Sequence, residues 1–356
     1  MEVRVFTSIP EIPQSIASQF SYPAVQNYFL SLDWFACVFE TALYASMSPR
    51  IYSLFDTDNS AIGLLYCATK KGERTLYSLS NFYTMEYGLV TSTDAGLEQS
   101  CTDCLVEYIQ SERPTWNAID FRYLLAADSI EPKFPAVFEQ QGFSVANYFM
   151  YENWYVLTCE RDFDTYYSGL SSRLRNTIKR KEKKLNKAHE VEIKIHASDY
   201  SDLEKATADY VAIYNKSWKN PEPFPDFIPS FISTLSELGI LRLGLLYIDG
   251  NPAAAQLWIN TKNKALIYKL AYDEEYSSHS PGSILSREMF RYAMDIDAVA
   301  EIDYGVGSEG YKKDWMDAVR ELKGMQAYNK KTVVGRLLAI NQYARATIKR
   351  LVRKKQ

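Results

Sequence analysis

The chain has 356 residues, more than a single hydrophobic core usually holds, so its length predicts two domains. Hydrophobic residues make up 47% and charged residues 24% of the chain, which is ordinary globular composition. The net charge of −4 argues against nucleic acid as the main partner.

Neither a secretion signal nor a membrane-spanning segment is expected. The N-terminal sequence MEVRVFTSIPEIPQ lacks a basic region followed by an apolar run. No run reaches the roughly 18 consecutive apolar residues that a spanning helix needs. We therefore expect a cytoplasmic protein.

The first half of the chain predicts, in order, a helix, three strands, a helix, a strand, a helix and a strand. Apolar residues recur at helical spacing in NYFLSLDWFACVFETAL, which follows an opening loop. Three β-rich runs come next, IYSLF, AIGLLYCAT and RTLYSL, separated by the turn-forming segments DTDNS and KKGE. The last four elements are a helix over Leu97 to Ile109, the strand AIDFRYLL, the helix FPAVFEQQ and the strand SVANYFMYENWYVL.

The second half repeats this order after a linker near Glu160 to Thr165. A basic helix over Ser171 to Ala188 and the strand VEIKIH lead into two helices, over Leu203 to Lys216 and Ile228 to Glu237. The strands ILRLGLLYI, AAAQLWIN and ALIYKLAY then form a second meander. The helix PGSILSREMFRYAMDI has Pro at its start, and the strand AEIDYG, the helix KKDWMDAVRELK and the strand MQAYNKK follow it.

A meander followed by a helix, a strand, a helix and a strand is the element order of the GNAT acyltransferase fold. Because this order occurs twice, we predict an α/β protein with mixed sheets (α+β), built from tandem GNAT-like domains. The first domain, residues 1–160, would shape the acceptor cleft. The second, residues 161–335, would hold acyl-CoA, and a basic helix would cover residues 336–356.

The stretch from Ala253 to Trp315 carries a more specific resemblance. With its motifs AAAQLWIN, YKLAYDEEYSSHSPGSILSREM and EIDYGVGSEGYKKDW, and with RLRNTIKRKEKKL upstream, it resembles the CelD-type acetyltransferase domain of cellulose and exopolysaccharide clusters. That group is similar to the FemAB-type transferases, which have two GNAT-like halves. The segment SLSNFYTMEYG also resembles the N-terminal part of CelD-type proteins. The resemblance implies a FemAB-like tandem that transfers an acyl group.

The segment SHSPGSILS predicts a phosphate-binding turn at a helix start. Pro281 fixes the backbone there, and Gly282 lets the backbone approach a ligand. The first N–H groups of the helix lie at the positive end of its dipole, which suits a pyrophosphate. The alternative is that Ser-Pro-Gly only caps the helix. GNAT enzymes hold coenzyme A at such a turn, so the resemblance implies a donor site formed by Ser280, Pro281, Gly282, Ser283, Ile284 and Leu285.

Four residues near predicted strand ends are candidates for catalysis. Asp273 ends ALIYKLAYD, where it is either a general base for the incoming amine or a structural carboxylate. Asp303 lies at the end of a strand, where open α/β sheets place ligands. The resemblance implies that Tyr311 protonates the departing thiolate, and Lys312 would bind phosphate or an anionic acceptor.

The implied reaction is acyl-CoA-dependent N-acyl transfer to an amino sugar or a similar amine in cell-envelope or exopolysaccharide synthesis. Acetyl-CoA would be a co-substrate, with no permanently bound cofactor. Gln256, a polar residue on a central apolar strand, either bonds within the sheet or reaches the acceptor. In the first half, the loop residues Asn81, Tyr83 and Tyr87 are expected to face the acceptor.

Cysteine and histidine give no support for a metal site or a Ser-His-Asp mechanism. Cys101 and Cys104 form a C-x-x-C pair, but they lie in a predicted helix, and neither a second pair nor a nearby His completes a zinc site. The chain has three histidines, of which His279 alone is near the motifs. We therefore expect direct attack of the amine on the thioester.

Two basic stretches leave other partners open. Eight basic residues and one acidic residue lie between Arg173 and Lys187, and seven basic residues and no acidic residue lie from Arg336 to the end. The second stretch has a loose apolar stripe, so it either contacts an anionic membrane surface or packs with its charges solvated. The alternative functions are a FemAB-type transferase that uses aminoacyl-tRNA and a non-catalytic component of a polysaccharide synthesis complex.

Overall fold

The computed structural model describes the main chain of residues 1–92, 98–125, 134–159, 161–197, 201–307 and 309–353, with side chains up to residue 345. The predicted helix start at Leu97 and linker start at Glu160 lie outside the described residues. The helices and strands are β1 (Glu2–Phe6), α1 (Gln14–Phe20), α2 (Leu32–Thr41), β2 (Met47–Phe55), β3 (Ala61–Lys70), β4 (Thr75–Ser78), β5 (Val90–Thr91), α3 (Glu98–Ser111), β6 (Ala118–Leu125), α4 (Phe134–Gln140), β7 (Phe143–Leu157), α5 (Phe163–Gly169), α6 (Ser172–Ala188), β8 (Val191–His196), α7 (Leu203–Asn215), α8 (Phe227–Glu237), β9 (Leu241–Ile248), β10 (Asn251–Thr261), β11 (Lys264–Tyr272), α9 (Pro281–Arg291), β12 (Glu301–Val306), β13 (Ala318–Asn329) and α10 (Val333–Arg353).

The chain divides into two compact units, one of residues 1–151 and 321–356 and the other of residues 152–320. Strand β7 therefore begins in the first unit and ends in the second. Strand β13 begins in the second unit and ends in the first. In the first unit β13 pairs with β6, and in the second the end of β7 pairs with β12. Each unit thus contains one strand from the other half of the sequence.

The first unit is a mixed sheet with helices on both faces. Its strand order is β1-β2-β3-β4-β6-β13-β7, and β4 and β6 run parallel. Phe35 of α2 stacks on Tyr66 of β3, with ring centroids 3.8 Å apart. Tyr108 of α3 contacts Tyr52 of β2, with ring centroids 6.1 Å apart. Because Tyr52 pairs with Leu65, alternation places Tyr66 on the opposite face, so α2 and α3 cover different faces.

The second unit has the same layered design. Its strand order is β7-β12-β11-β10-β9-β8, and β11 and β12 run parallel. A buried core packs α5, α6 and α9 against one face, and α7 and α8 lie on the other. Gly244 allows α9 to come close, because a Cβ there would lie 2.4 Å from the sulfur of Met289. This packing brings the start of α9 to the middle of the sheet.

Strands β11 and β12 separate soon after they begin. Their parallel pairing runs from Lys264 beside Glu301 to Leu266 beside Asp303, and no later pair occurs among the described residues. Beyond this point the edge of β11 that faced β12 has no strand partner in the described chain. A gap therefore opens between the two strands at their carboxyl ends.

A β-bulge lies where the gap begins. Ile267 of β11 pairs with Trp258 of β10, and Lys269 pairs with Leu257, so Tyr268 is an extra residue in β11. The bulge reverses the alternation of the side chains that follow. It directs Lys269 toward the face covered by α7 and α8.

Two of the predicted elements are wrong. The opening segment is predicted as a loop, but it forms β1 and pairs with β2, with Glu2 opposite Phe55. Residues 312–323 are predicted as a helix, but they form the end of a 3₁₀ turn and the first half of β13. Their residue types favour a helix, yet intrinsic preference is weak, and pairing of Leu322 with Leu125 of β6 overrides it.

Candidate functional site

The six predicted donor-site residues, Ser280 to Leu285, form the start of α9. Ser280 has a left-handed backbone (φ 55°), and its carbonyl accepts hydrogen bonds from the N–H groups of Ser283 (3.1 Å) and Ile284 (3.3 Å). The apolar members of the set are buried in the core. Within the described chain, the Gly282 N–H lacks an acceptor, so it is the group available to a ligand at this helix start.

Contacts from the sheet fix this helix start. A Cβ on Gly282 would lie 3.3 Å from the ring of Tyr272, at the end of β11. Gln256 is buried, and its amide nitrogen donates to the carbonyl of Gly282 (3.1 Å) and the hydroxyl of Ser286 (2.7 Å). Its amide oxygen accepts from the indole N–H of Trp258 (2.9 Å). Gln256 therefore positions α9, and its contact with an acceptor stays a prediction.

Positive charge surrounds the segment that leads into α9. The Lys181 ammonium of α6 donates a hydrogen bond to the carbonyl of Ser278. Partial burial, and then the nearby His189, Lys184 and Lys181, lower the pKa of His279, which is therefore neutral at neutral pH. This surface favours an anionic ligand beside the helix start.

Asp273 is buried at the end of β11, with 2% exposure. Its Oδ1 accepts from the N–H of Glu275 (3.0 Å), and its Oδ2 lies 3.1 Å from the ammonium of Lys216. Its own N–H donates to the carbonyl of Ala253 (2.9 Å). These contacts organise the turn after β11, and a role as general base stays a prediction.

Asp303 lies at the centre of a buried ion cluster on β12. Its Oδ2 is 2.6 Å from Arg320 and 2.5 Å from Lys264, and its Oδ1 accepts from the N–H of Gly305 (2.7 Å) and from the Asn153 amide. Burial by itself would raise the pKa of Asp303, but Lys264 and Arg320 outweigh it and lower the pKa to about 2. The ionised carboxylate holds β12 where it parts from β11, and a part in the reaction stays a prediction.

Lys312 is buried in the 3₁₀ turn that follows β12, with 3% exposure. Its ammonium donates to the carbonyls of Val306 (2.8 Å) and Gly307 (3.3 Å) and lies 2.9 Å from a carboxylate oxygen of Glu309. Burial lowers the pKa of Lys312, although Glu309 opposes this effect. Lys312 therefore closes the loop after β12, and its predicted contact with a ligand anion is not tested by this geometry.

Tyr311 stands on the outside of the same turn and is 41% exposed. Its ring meets that of the buried Tyr304 edge to face, with centroids 5.7 Å apart. Partial desolvation, and then the Glu309 carboxylate, raise the pKa of Tyr311 above its usual value. The phenol thus keeps its proton at neutral pH, as a general acid must.

The predicted acceptor residues Asn81, Tyr83 and Tyr87 are buried in the first unit, with 8%, 1% and 2% exposure. The amide of Asn81 donates to the carbonyl of Ala42 (3.0 Å), and its oxygen accepts from the N–H of Tyr83 (2.9 Å). The Tyr87 hydroxyl donates to the carbonyl of Tyr66 (2.8 Å). These contacts shape their own loop, and acceptor binding by the three residues stays a prediction.

The first unit also contains a polar cavity of about 320 Å³ near the end of β4 and the middle of β6. Hydroxyl groups and two cations contribute to its lining, which includes Tyr44, Lys70, Ser78, Ser80 and Arg122. Such a surface suits a hydroxyl-rich ligand better than the buried loop does.

Sequence reasoning missed a charged cluster beside the gap in the second unit. Lys219 and Glu222 lie in the segment between α7 and α8, Lys269 follows the bulge of β11, and Glu309 and Lys312 follow β12. The available signal is SWKNPEPFPD, a short connection rich in Pro that also carries Trp, Lys and Glu.

Comparison with protein families concerns this same region. Residues 172–313 match the family model described as the acetyltransferase (GNAT) domain. This match supports an N-acyltransferase. The matched GNAT range lies within the second unit and contains the start of α9, the gap and Tyr311. Among curated proteins, no sequence matches significantly.

Solved structures show the same fold over nearly the whole chain. FemX has a TM-score of 0.63 at 12% identity, covering 95% of this chain and 100% of FemX. A tandem GNAT protein of the clavulanic acid biosynthesis pathway has a TM-score of 0.51 at 10% identity, covering 91% and 98%. A domain described as the C-terminal domain of a lysylphosphatidylglycerol synthetase from Agrobacterium fabrum has a TM-score of 0.51 at 12% identity, covering 81% and 87%. The predicted fold class, a mixed α/β protein of tandem GNAT-like domains, is confirmed.

Proposed function

We propose that this protein is an acyl-CoA-dependent N-acyltransferase, with acetyl-CoA as donor, that acylates an amino sugar or a similar amine in cell-envelope or exopolysaccharide synthesis. The observation that carries the proposal is the gap between β11 and β12 beside the start of α9. The thioester would lie in this gap, where the unpaired edge of β11 offers backbone N–H groups to its carbonyl oxygen. The pyrophosphate would meet the Gly282 N–H and the positive end of the helix dipole.

The charges around α9 support a donor that carries phosphate groups. Lys181 and Lys184 of α6 lie close enough to His279 to affect its pKa, and Gly282 follows in the next turn. Coenzyme A brings several phosphate charges, which such cations stabilise. The choice of an amino sugar as acceptor rests on the CelD-type resemblance.

The proposed chemistry is direct transfer without a covalent enzyme intermediate. A neutral amine adds to the thioester carbonyl, the backbone N–H groups of β11 stabilise the oxyanion, and Tyr311 gives a proton to the departing sulfur. Holding both substrates in one site would supply much of the rate.

Substitution of Gly282 by Asp tests the donor site. The new carboxylate would stand beside the phosphates, at a cost on the order of 2 kcal/mol or more, so coenzyme A should bind at least about 30-fold more weakly. Calorimetric titration with coenzyme A measures this loss. Gly169→Asp is the matched control, since Gly169 is exposed in the same unit with open space around it. Normal binding by a folded Gly282→Asp protein would reduce the turn to a helix cap.

An aminoacyl-tRNA donor is the second candidate, and the basic helix α6 favours it. Ile178 and Leu185 of α6 are buried, whereas most of its basic side chains, among them Arg173, Lys179 and Arg180, are exposed. A helix of this kind suits a phosphate backbone, with binding that weakens steeply as salt rises. Saturable acetyl-CoA binding without salt-dependent tRNA binding would exclude this candidate. Acetyl-CoA binding without transfer to any amine would favour a non-catalytic component.

We also propose that helix α10 contacts an anionic membrane surface. Val333, Leu337 and Ile340 follow one another at helical spacing, and they are 74%, 61% and 66% exposed. The stretch from Arg336 onward carries seven basic residues and no acidic one. Among the described residues, no helix combines the length and apolar character needed to cross a membrane. An exposed apolar stripe with basic neighbours fits the interface of an anionic bilayer.

Leu337→Glu tests this membrane contact. Loss of an apolar side chain and gain of a negative charge should reduce binding to phosphatidylglycerol vesicles at least about tenfold. Vesicle co-sedimentation measures the bound fraction. Asn341→Glu adds the same charge at an exposed polar position of α10 and should change binding much less. Equal binding by wild type and Leu337→Glu would leave α10 without a membrane role.

A further inference from the structure

Lys219 lies in the segment between α7 and α8, beside the gap. Its ammonium nitrogen is 5.7 Å from the ring centroids of both Tyr214 and Trp218. These aromatic rings replace part of the water around the amine. The residue as a whole is half-buried.

The neighbouring lysines have carboxylate partners, whereas Lys219 has none among the described residues. The Lys269 nitrogen lies 2.5 Å from Glu222, and the Lys312 nitrogen lies 2.9 Å from Glu309. All four of these groups act electrostatically on Lys219. Within the described chain, however, the Lys219 amine makes neither a hydrogen bond nor an ion pair. It is therefore free to act on a ligand.

The position of this amine follows from its neighbours. Lys269 belongs to β11 just after the bulge, and Lys312 follows the end of β12. Glu222 of the same segment pairs with Lys269 (2.5 Å), and Trp218 packs on Tyr272 at the end of β11, with ring centroids 4.6 Å apart. The segment that carries Lys219 therefore lies against the carboxyl end of β11, beside the gap. The proposed thioester occupies this gap, so an acceptor nitrogen would have to approach it here.

The same surroundings adjust the basicity of Lys219. Burial, and then the Lys269 ammonium, lower the pKa of Lys219 to about 8, with Lys312 acting in the same direction and Glu222 and Glu309 opposing. General base catalysis is most efficient when the pKa of the base lies near the working pH. A substantial fraction of this amine is therefore neutral under physiological conditions, unlike that of an ordinary lysine.

We infer that Lys219 is the general base of the reaction and accepts the proton of the attacking acceptor nitrogen. The inference rests on the proposed function, because it needs an amine acceptor and a thioester in the gap. Asp273 fits the role less well, since its carboxylate caps the turn after β11 and faces Lys216. Lys219 has no such commitment in the described chain.

The Lys219 amine and the Tyr311 hydroxyl account for every proton that moves in the reaction. As the C–N bond forms, one proton moves from the acceptor nitrogen to the Lys219 amine. As the C–S bond breaks, the sulfur leaves with the bonding electron pair and takes the proton of Tyr311. The Lys219 ammonium then returns a proton to the tyrosinate, directly or through water. The products are an amide and free coenzyme A.

Two substitutions, Lys219→Met and Lys219→Arg, test the inference with acetyl-CoA and glucosamine as probes. Both should lower kcat by about 10²-fold or more at neutral pH, because neither side chain accepts a proton there. The affinity for acetyl-CoA should stay unchanged. The wild-type rate should rise with pH through the region near 8 more steeply than the rates of the variants, which keep only the rise due to deprotonation of the acceptor amine. Lys262→Met, at an exposed turn position, is the control and should behave as wild type.

Competitive labelling with acetic anhydride measures the pKa of the Lys219 amine directly and needs no acceptor substrate. If labelling of Lys219 titrates near 8, well below the usual lysine value of about 10.4, the inference is supported. Titration of Lys219 at that usual value overturns it, whatever the substrate is. Full turnover by Lys219→Arg also overturns it, because the residue would then act through its charge. Failure of the wild type to bind acetyl-CoA would overturn the proposed function, and this inference with it.

Discussion

Replacing Asp303 by Asn is expected to lower the free energy of unfolding by about 3–5 kcal/mol, the usual cost of breaking a buried ion pair by removing one partner. The carboxylate is 3% exposed and faces both Lys264 and Arg320. Without its charge, the two cations share Glu301 as their remaining carboxylate partner within the described cluster. At about 2–4 °C per kcal/mol, the melting temperature of the second unit should fall by roughly 6–20 °C. Thermal scans measure this, and the exposed Asp314→Asn control should change stability by less than about 0.5 kcal/mol.

The same carboxylate predicts a definite pH dependence of stability. Its pKa is lowered in the folded protein to about 2, below the value of about 3.9 expected in the unfolded chain. The unfolded state therefore binds the proton first as the pH falls. The stabilisation is complete above the unfolded pKa and is lost as the pH falls through the folded pKa. The difference between wild type and Asp303→Asn should therefore shrink under acid conditions.

A different result would restore the catalytic role that the sequence predicts for Asp303. In that case Asp303→Asn would melt as wild type does, and turnover would still fall. The ion cluster would then contribute little to stability, and its charge would matter to the reaction. Measuring the melting temperature and turnover on the same preparation separates the two roles.

Elements with a clear apolar pattern between turn residues are predictable from the sequence. The segments AIDFRYLL and VEIKIH coincide with β6 and β8 at both ends, because alternation or a continuous apolar run sets where a half-buried strand can lie. The short helices α1 and α5 escape such prediction. Each has seven residues, so the helical period repeats at few positions, although the equally short α4 is predicted from FPAVFEQQ.

The exchange of strands between the units is beyond prediction from local pattern. The segment MQAYNKK carries no local signal that Gln326 will pair with Asp120, a residue of the first half. Pairing partners are chosen by tertiary packing, and a strand edge accepts any extended segment of suitable register. The same tertiary choice explains why residues 318–323 form a strand, although their composition favours a helix.

An internal repeat becomes visible only when the register is known. In the first unit the parallel pairing ends with Tyr77 beside Asp120, and in the second with Leu266 beside Asp303. Both aspartates follow Ile, in AIDF and EIDY, and both bind cations where the strands part. Two-residue similarities of this kind are too short to notice in the sequence, although they mark equivalent positions in the fold.

The candidate site likewise has one part that the sequence predicts and one part that depends on the fold. The turn at Gly282 is local, so Pro and Gly at a helix start suffice to predict it. The basicity of Lys219 depends on Lys269, Glu222, Glu309 and Lys312, which three separate segments bring together. A lysine of this kind has no sequence signature, because its pKa comes from burial and from neighbours that only the fold supplies.

Tyr311→Phe is expected to lower kcat by about 10²–10⁴-fold, because it keeps the ring and removes the proton that would go to the departing thiolate. The ring is 41% exposed and rests edge-on against Tyr304, so loss of the hydroxyl should leave folding and acetyl-CoA affinity nearly unchanged. Thiol release with acetyl-CoA and glucosamine measures turnover, and calorimetry measures the affinity. Tyr167→Phe removes a hydroxyl elsewhere in the second unit and should have little effect.

The pH profile adds a second check on the acid. The pKa of Tyr311 is raised, so the phenol stays protonated throughout the range in which Lys219 loses its proton. The wild-type rate should therefore rise with pH and reach a plateau, with no fall until the pH exceeds the ordinary tyrosine value of about 10. Tyr311→Phe should keep the rise due to Lys219 at a uniformly lower rate. Unchanged turnover with a lower melting temperature would mean that Tyr311 only supports the turn after β12, and that coenzyme A leaves as a thiolate stabilised by the backbone.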